Sequence, residues 1–220
     1  MALLLAVTAL SLTGCGSKKD AAPPTTSAAQ QDNFVADLLG KGKKVEGMSY
    51  DYVLTSGETK MLGKVWMENS KIKTETEIEG HKMITFFDSN VFYTYDPVEN
   101  VAIKISSEKG KKVDTPLDYS RDIDSVPDRL KVLEKNTQYE GVDCTLVTTT
   151  SPDGKEQSKI WLRRDYGVPV RVELSGADGV KTVMEYKNMK IGPQSPGIFK
   201  LPEGAMVTDM DEMMKQGSKQ

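Results

Sequence analysis

Cys15 is the residue whose type and neighbours indicate chemistry most directly. It follows Leu12, Thr13 and Gly14, so a large apolar residue and two small ones precede a thiol. A thiol can form a stable thioether, and small residues before it leave the preceding peptide bond accessible to a peptidase. The pattern predicts cleavage before Cys15 and covalent modification of its sulfur.

The residues before Cys15 have the composition of a secretion signal. Residues 2–12 are apolar and uncharged, and they are too few for the roughly 20 residues that cross a bilayer as a helix. This run and the following Leu-Thr-Gly-Cys resemble the signal peptide and lipobox of bacterial lipoproteins. The resemblance implies a lipoprotein signal peptide at 1–14 and a diacylglycerol on Cys15. Because signal peptides usually begin with Lys or Arg, we expect a basic segment ahead of Met1.

The expected anchor places the protein on the extracytoplasmic face of the cell membrane, or on the outer membrane of a two-membrane host. Residues 15–31 contain Ser, Thr, Gln and two prolines without apolar periodicity, which is typical of a flexible linker. Such a tether spans roughly 20–25 Å. The folded domain is predicted at 32–208, followed by a C-terminal tail at 209–220.

The other reactive residues do not form a catalytic set. Cys144 lies in an alternating stretch and is interpreted as a small buried hydrophobic residue. His81 is the single histidine, and we interpret it as an exposed edge or turn residue. The sequence has no glycine-rich phosphate loop, Cys-x-x-Cys pair or histidine metal spacing. We predict a non-enzyme without metal or cofactor; a hydrolase would need His81 within hydrogen-bond reach of a nucleophile.

Composition and charge narrow the class of partner. The chain is 38% hydrophobic and 28% charged, as expected of a globular domain. Its net charge is −3, with Lys and Glu interspersed, which argues against a nucleic-acid partner. A monomer is expected.

Hydrophobic periodicity predicts the elements that surround these residues. A short helix is predicted from Asp32, with Phe34, Val35, Leu38 and Leu39 on one side and Gly40 and Gly42 at its end. A second helix is predicted over 126–135, and a third, short one near the C-terminus carries Met206, Met210, Met213 and Met214. Period-two segments between turn residues predict strands near 50–54, 60–68, 72–78, 81–87, 91–95, 101–105, 139–149, 158–163, 168–174, 180–186 and 199–202.

These elements predict a mainly β fold with an α lid. Tight turns between successive strands favour antiparallel pairing throughout. About 10 or 11 strands then form a curved, half-open antiparallel barrel closed by two or three short helices.

Several segments are similar to the LolA/LolB-like superfamily, which includes outer-membrane lipoprotein-sorting proteins. The similarity lies in the Trp161 to Pro169 spacing and in the Phe-x-Leu-Pro-x-Gly sequence at 199–204. It also includes the segments 63–67, 71–73, 92–97 and 186–191. Together these segments extend the resemblance over residues 33–208.

The resemblance implies a half-barrel whose cavity binds acyl chains, lipids or lipoproteins. A tethered member is expected to act as an acceptor or membrane-bound carrier. The alternative is a regulatory or scaffold lipoprotein, of the envelope-stress or sporulation type, that binds another protein through the same fold. Candidate cavity residues, for each of which ordinary core packing is the alternative, are Met61, Val65, Met67, Ile84, Phe86, Tyr93, Tyr95, Trp161 and Met184. A slip of one residue in register would place Trp66 and Phe92 there instead.

Overall fold

The computed structural model of this chain describes residues 28–78, 80–88, 91–106, 115–118, 129–176 and 178–217. Cys15, the expected signal peptide and most of the expected linker lie outside these residues. Within them, no helix is long and apolar enough to cross a membrane.

Period-two segments form twelve strands of one sheet in the described residues. They are β1 (Gly47–Ser56), β2 (Thr59–Glu68), β3 (Lys71–Ile78), β4 (His81–Asp88), β5 (Val91–Asp96), β6 (Val101–Ser106), β7 (Leu130–Tyr139), β8 (Val142–Thr150), β9 (Gln157–Arg163), β10 (Pro169–Ser175), β11 (Lys181–Ile191) and β12 (Met206–Asp209). Helix α1 (Ala28–Gly42) precedes β1, a 3₁₀ helix (Pro196–Phe199) follows β11, and α2 (Met210–Gly217) follows β12.

Two antiparallel meanders meet at the first and eleventh strands. The order across the sheet is β12-β6-β5-β4-β3-β2-β1-β11-β10-β9-β8-β7. The sheet is curved and open, and the few short helices complete a half-open β-barrel with a helical lid. The predicted fold class is confirmed.

Helix α1 packs its apolar side against the inner surface of the curve. Val35, Leu38 and Leu39 are buried with Met48 and Tyr50 of β1 in the main core. Apolar residues of β2, β3, β8, β9, β10 and β11, together with Leu117 and Val168 outside the strands, complete that core. The amphipathic pattern noted at 34–39 is thus explained by burial against the sheet.

The start of α1 differs from the prediction. The helix begins at Ala28, ahead of the predicted cap Asp32. Residues 28–31 are Ala-Ala-Gln-Gln, and both residue types favour helix. The helix therefore extends into the segment that was predicted to be a linker.

The predicted helix at 126–135 is wrong where the structure describes it. Residues 130–139 form β7, in which Leu130 pairs with Thr149 and Val132 with Val147. Leu130, Val132 and Leu133 fit either period, and pairing with β8 buries Leu130 and Val132 against the core. Tertiary pairing therefore overrides the local helix signal.

The expectation that all strands are antiparallel is also wrong. β12 pairs in parallel with β6, with Met206 beside Val101 and Asp209 beside Lys104. The chain leaves β11 in the middle of the sheet and returns to its far edge, so no hairpin constrains the direction of β12. The segment after it forms α2 with Met210, Met213 and Met214, as the sequence predicted, but Met206, which was predicted to lie in that helix, is in β12.

Candidate functional site

Alternation along each strand sorts the side chains onto two faces. The concave face is the one that carries Met48 and Tyr50 and contacts α1; the convex face is the other. Register extends the concave face from Met48 through Met67 and Ile72 to Phe87. A continuous apolar row, the inner row, therefore lines one end of the concave face and comprises Ile191, Met48, Met67, Ile72, Phe87, Phe92 and Ile105.

Helix α1 lies near the end of the sheet that carries the inner row. The Lys41 ammonium donates a hydrogen bond of 2.8 Å to the Arg164 carbonyl in the turn between β9 and β10. Since β1 begins and β9 ends at this side of the sheet, the helix is held against this end. The opposite end carries the turns between β1 and β2, β3 and β4, and β10 and β11.

At the opposite end, apolar concave side chains remain accessible. Leu54 lies between Met61 of β2 and Met184 of β11 in register, and all three are partly exposed. Ile78 is 51% exposed, Met83 38% and Leu174 38%. Exposed apolar patches of this kind are typical of binding surfaces. We call this set of residues the apolar rim: Leu54, Met61, Ile78, Met83, Leu174 and Met184.

Charged side chains of the strands lie mainly on the convex face. There Glu75 bridges Lys73 at 2.7 Å and Lys82 at 2.6 Å. Burial works to raise the pKa of Glu75, but hydrogen bonds and charge from both lysines outweigh it and lower that pKa. In β1–β6 and β8–β11 the concave positions include no Lys, Arg or Glu. Apart from tyrosines, their ionisable residues are His81, Asp96 and Asp143, each at a strand end.

The nine candidate cavity residues are divided between the two faces. Met61, Val65, Met67 and Met184 lie on the concave face. The convex face carries Ile84, Phe86, Tyr93, Tyr95 and Trp161. The register also places Phe92 on the concave face and Trp66 on the convex face.

Another part of the chain covers most of the candidate residues that lie on the convex face. Ile84, Phe86, Tyr95 and Ala102 form a second buried cluster, against which Tyr93, Leu201 and Ala205 pack. The chain segment between the 3₁₀ helix and β12 therefore seals this part of the convex face. These aromatic residues contact protein on the side away from α1.

Trp161 is part of a separate convex cluster with Arg171. The Arg171 guanidinium lies 5.5 Å from the Trp161 ring and 5.3 Å from the Tyr139 ring. It donates to Glu173 at 2.6 Å and to Glu185 at 3.2 Å. Tyr139 also donates a hydrogen bond to Glu185. Burial and this bond raise the pKa of Tyr139.

The rim residues that sequence analysis missed carried a usable signal. Met83 and Ile78 lie in strands that two residues of sequence separate. A two-residue hairpin sets Ile78 opposite His81, and counting back from that pair places Met83 and Phe87 with Ile72. Leu54 carried the same signal, because the two-residue connection between β1 and β2 sets it opposite Met61. Leu174 did not, because its face relative to Leu54 depends on pairing between β1 and β11, which are 130 residues apart at Leu54 and Met184 (184 − 54).

The two residues considered for catalysis lie in different environments. Cys144 is fully buried, and burial raises its thiol pKa to about 11, so the predicted structural role is confirmed. His81 is exposed at the start of β4, as expected. No group of three or more His, Cys, Asp or Glu side chains within the described ranges could hold a metal ion.

A polar cleft of about 560 Å³ lies between α1 and the turns that follow β7 and β9. Phe34, Asp37 and Lys41 line it from the helix. Arg163 also lines it, but this guanidinium forms a two-point bond with Asp165 at 2.7 and 2.6 Å. The Arg163 bond lowers the pKa of Asp165, so the pair is mutually satisfied.

No protein-family model matches the sequence, and no curated protein matches it either. Among solved structures, an uncharacterized conserved protein from Thermus thermophilus is similar over 83% of this chain and 99% of its own, at 13% identity and a TM-score of 0.55. MucB in the Pseudomonas aeruginosa MucA/MucB complex is similar at 10% identity and a TM-score of 0.53. That match covers 80% of this chain and 62% of MucB. At these identities the likeness concerns the fold.

The curved open sheet, with its helix on the concave face, decides the fold relationship. This chain shares the fold of the Thermus thermophilus protein and of MucB. In the segment Phe-x-Leu-Pro-x-Gly at 199–204, Phe199 is buried and Leu201 packs against the convex cluster.

Proposed function

We propose that this protein binds a hydrophobic ligand, the acyl chain of a lipid or lipoprotein, on the concave face of its half-barrel. The observation that carries the proposal is the apolar rim, where Ile78, Met83 and Leu174 stay more than a third exposed. Strand register places the rim on the same face of the sheet as the apolar inner row. A chain that enters at the rim would gain about 0.8 kcal/mol for each methylene that it buries.

We further propose that the protein acts while tethered to a membrane from the extracytoplasmic side. Support comes from the Leu-Thr-Gly-Cys sequence and the apolar run before it. Two acyl chains on Cys15 would give stable attachment where a single chain gives marginal binding. Cys15→Ser should move the protein from the membrane fraction to the soluble fraction, and an unchanged distribution would contradict the anchor.

A second candidate function is the binding of a protein partner. MucB, which has a similar fold, is known in complex with MucA. In this chain the edge strand β12 exposes Met206 and Val207, and α2 exposes Met213 and Met214. These residues give a partner an apolar contact surface at the β12 edge of the sheet and on α2.

Adjacent residues of β2 provide a matched test of the first function. Met61 lies on the concave rim and Leu62 on the convex face, 49% exposed. The neutral fluorophore phenylnaphthylamine should bind the wild type and be displaced by monoacylglycerol. Met61→Lys should weaken both events, whereas Leu62→Lys should leave both unchanged.

The opposite pattern, or equal loss in both variants, would contradict binding on the concave face. No binding of either compound to the folded wild type, combined with a stable partner recovered through α2, would favour the second function.

A further inference from the structure

Three threonines stand side by side on the concave face. Thr74 of β3 pairs with Thr85 of β4, and Thr85 pairs with Thr94 of β5. Adjacent strands lie about 4.8 Å apart, so these positions form one row across three strands. Thr74 is nearly buried, and Thr85 and Thr94 are partly exposed.

The threonine row lies between the apolar inner row and the rim. The inner-row residues Ile72, Phe87 and Phe92 lie on one side of it. On the rim side of the row, the hydroxyl groups of Thr76 and Tyr52 share a hydrogen bond of 2.9 Å. Thr76 also pairs with Met83 of β4. Hydroxyl groups can donate to a carbonyl oxygen as well as accept. The row therefore offers uncharged donors inside the region where an acyl chain would lie.

The described strands β1–β6 and β8–β11 bring no cation to the concave wall, since their concave positions include no Lys or Arg. Asp96 accepts hydrogen bonds from the Val98 and Glu99 amides in its own turn, and Asp143 accepts one from Gln138. Lys135, on the edge strand β7, lies against the Phe34 ring of α1 at 4.4 Å. An ionised carboxylate buried in this wall would receive no compensating charge from these ten strands.

On the basis of the proposed function, we infer that the ligand is a neutral, ester-linked acyl lipid whose ester carbonyl is bound by the row Thr74-Thr85-Thr94. Free fatty acids are disfavoured, because the same position would bury their charge. The ester chemistry is common to glycerolipids and to the diacylglyceryl group of lipoproteins.

Competition against phenylnaphthylamine tests this inference. At neutral pH monoolein should displace the fluorophore at a concentration at least about tenfold lower than oleate. As the pH falls and the oleate carboxylate becomes protonated, the concentrations of oleate and monoolein that displace the fluorophore should approach each other. Equal displacement at neutral pH, or stronger displacement by oleate, would overturn the inference while leaving hydrophobic binding intact.

Replacing threonine by valine, which has nearly the same shape but no hydroxyl group, tests whether the threonine row binds the ester carbonyl. The double variant Thr85→Val, Thr94→Val should weaken monoolein relative to the fluorophore by about threefold to tenfold, the effect of a lost hydrogen bond. Thr55→Val, on the convex face of β1, is the control. Unchanged monoolein affinity in the double variant would overturn the assignment. A diacylglycerol and a diacylglyceryl lipopeptide, titrated in parallel, distinguish the two sources of the ester.

The results that would refute the proposed function differ from those that would refute this inference alone. If neither the fluorophore nor any lipid binds to the folded protein, the proposed function fails. If the fluorophore and oleate bind but the esters do not, the inference alone fails.

Discussion

Gly167 and Leu38 are in such close approach that a Cβ on Gly167 would come within 1.8 Å of the Leu38 carbonyl oxygen. Gly167 has a φ of +67° in the turn between β9 and β10, and its amide donates to the Arg163 carbonyl at 2.8 Å. Helix α1 therefore rests directly on the backbone of this turn. The contact holds the lid at the end of the sheet that carries the inner row and leaves the apolar rim open.

Gly167→Ala should lower the free energy of unfolding, because the helix or the turn must move. Gly154→Ala is the matched control: Gly154 has a φ of +74°, and a Cβ there would meet nothing within 4 Å. The control should lose about 1 kcal/mol from backbone strain, and Gly167→Ala at least about 2 kcal/mol more. Urea denaturation measures both. Equal losses would contradict the close approach of α1.

Gly63 and Tyr52 provide a second test of packing on the concave face. A Cβ on Gly63 would lie 2.4 Å from Tyr52 Cε1, so the tyrosine ring covers the glycine. Gly63→Ala should displace this ring and break its hydrogen bond with Thr76, at a cost of about 1–3 kcal/mol. Gly40→Ala, at an open position of α1, should instead be neutral or stabilise by up to about 1 kcal/mol. Destabilisation by Gly40→Ala equal to that of Gly63→Ala would argue against the covered site.

The sequence was sufficient to predict the half-barrel, but not to predict which face of the sheet each residue occupies. Clean alternation in 72–78 and the two-residue turns predicted the first meander. β7 was mistaken for a helix because its apolar residues fit either period. β12 was not assigned a parallel partner because that pairing joins segments 105 residues apart (206 − 101). Tyr93, Tyr95 and Trp161 were grouped with Met61 because aromatic residues suit a cavity, whereas register alone decides the face. Local patterns hold no information on such long-range register.

Arg171→Met tests the convex cluster around Trp161. At neutral pH the variant should lose about 1–2 kcal/mol, because Glu173 and Glu185 lose a guanidinium partner. Burial works to raise the pKa of each carboxyl, but hydrogen bonds and nearby cations lower both below the usual 4.5.

A lowered folded-state pKa means that the stabilisation is present above about 4.5 and is lost as pH falls through the folded values. The difference between wild type and Arg171→Met should therefore shrink under acid conditions. Denaturation curves over a pH series measure it, and a difference independent of pH would contradict an electrostatic contribution.

Cys144 should be chemically inert in the folded protein. Its thiol is fully buried and its pKa is raised to about 11, so little thiolate forms at neutral pH. A thiol reagent applied to a Cys15→Ser protein should react only slowly, and rapidly after unfolding in urea. Rapid reaction under native conditions would contradict the placement of Cys144 in the core.

Methionine methyl groups allow the most direct test of binding on the concave face. Met61, Met83 and Met184 lie at the apolar rim, whereas Met213 and Met214 of α2 are exposed outside it. Isotope-labelled methionine methyl groups can be followed by NMR during titration with monoolein. Ligand binding on the concave face predicts shifts and ligand contacts at Met61, Met83 and Met184, with Met213 and Met214 unchanged. Contacts confined to Met213 and Met214 would contradict it.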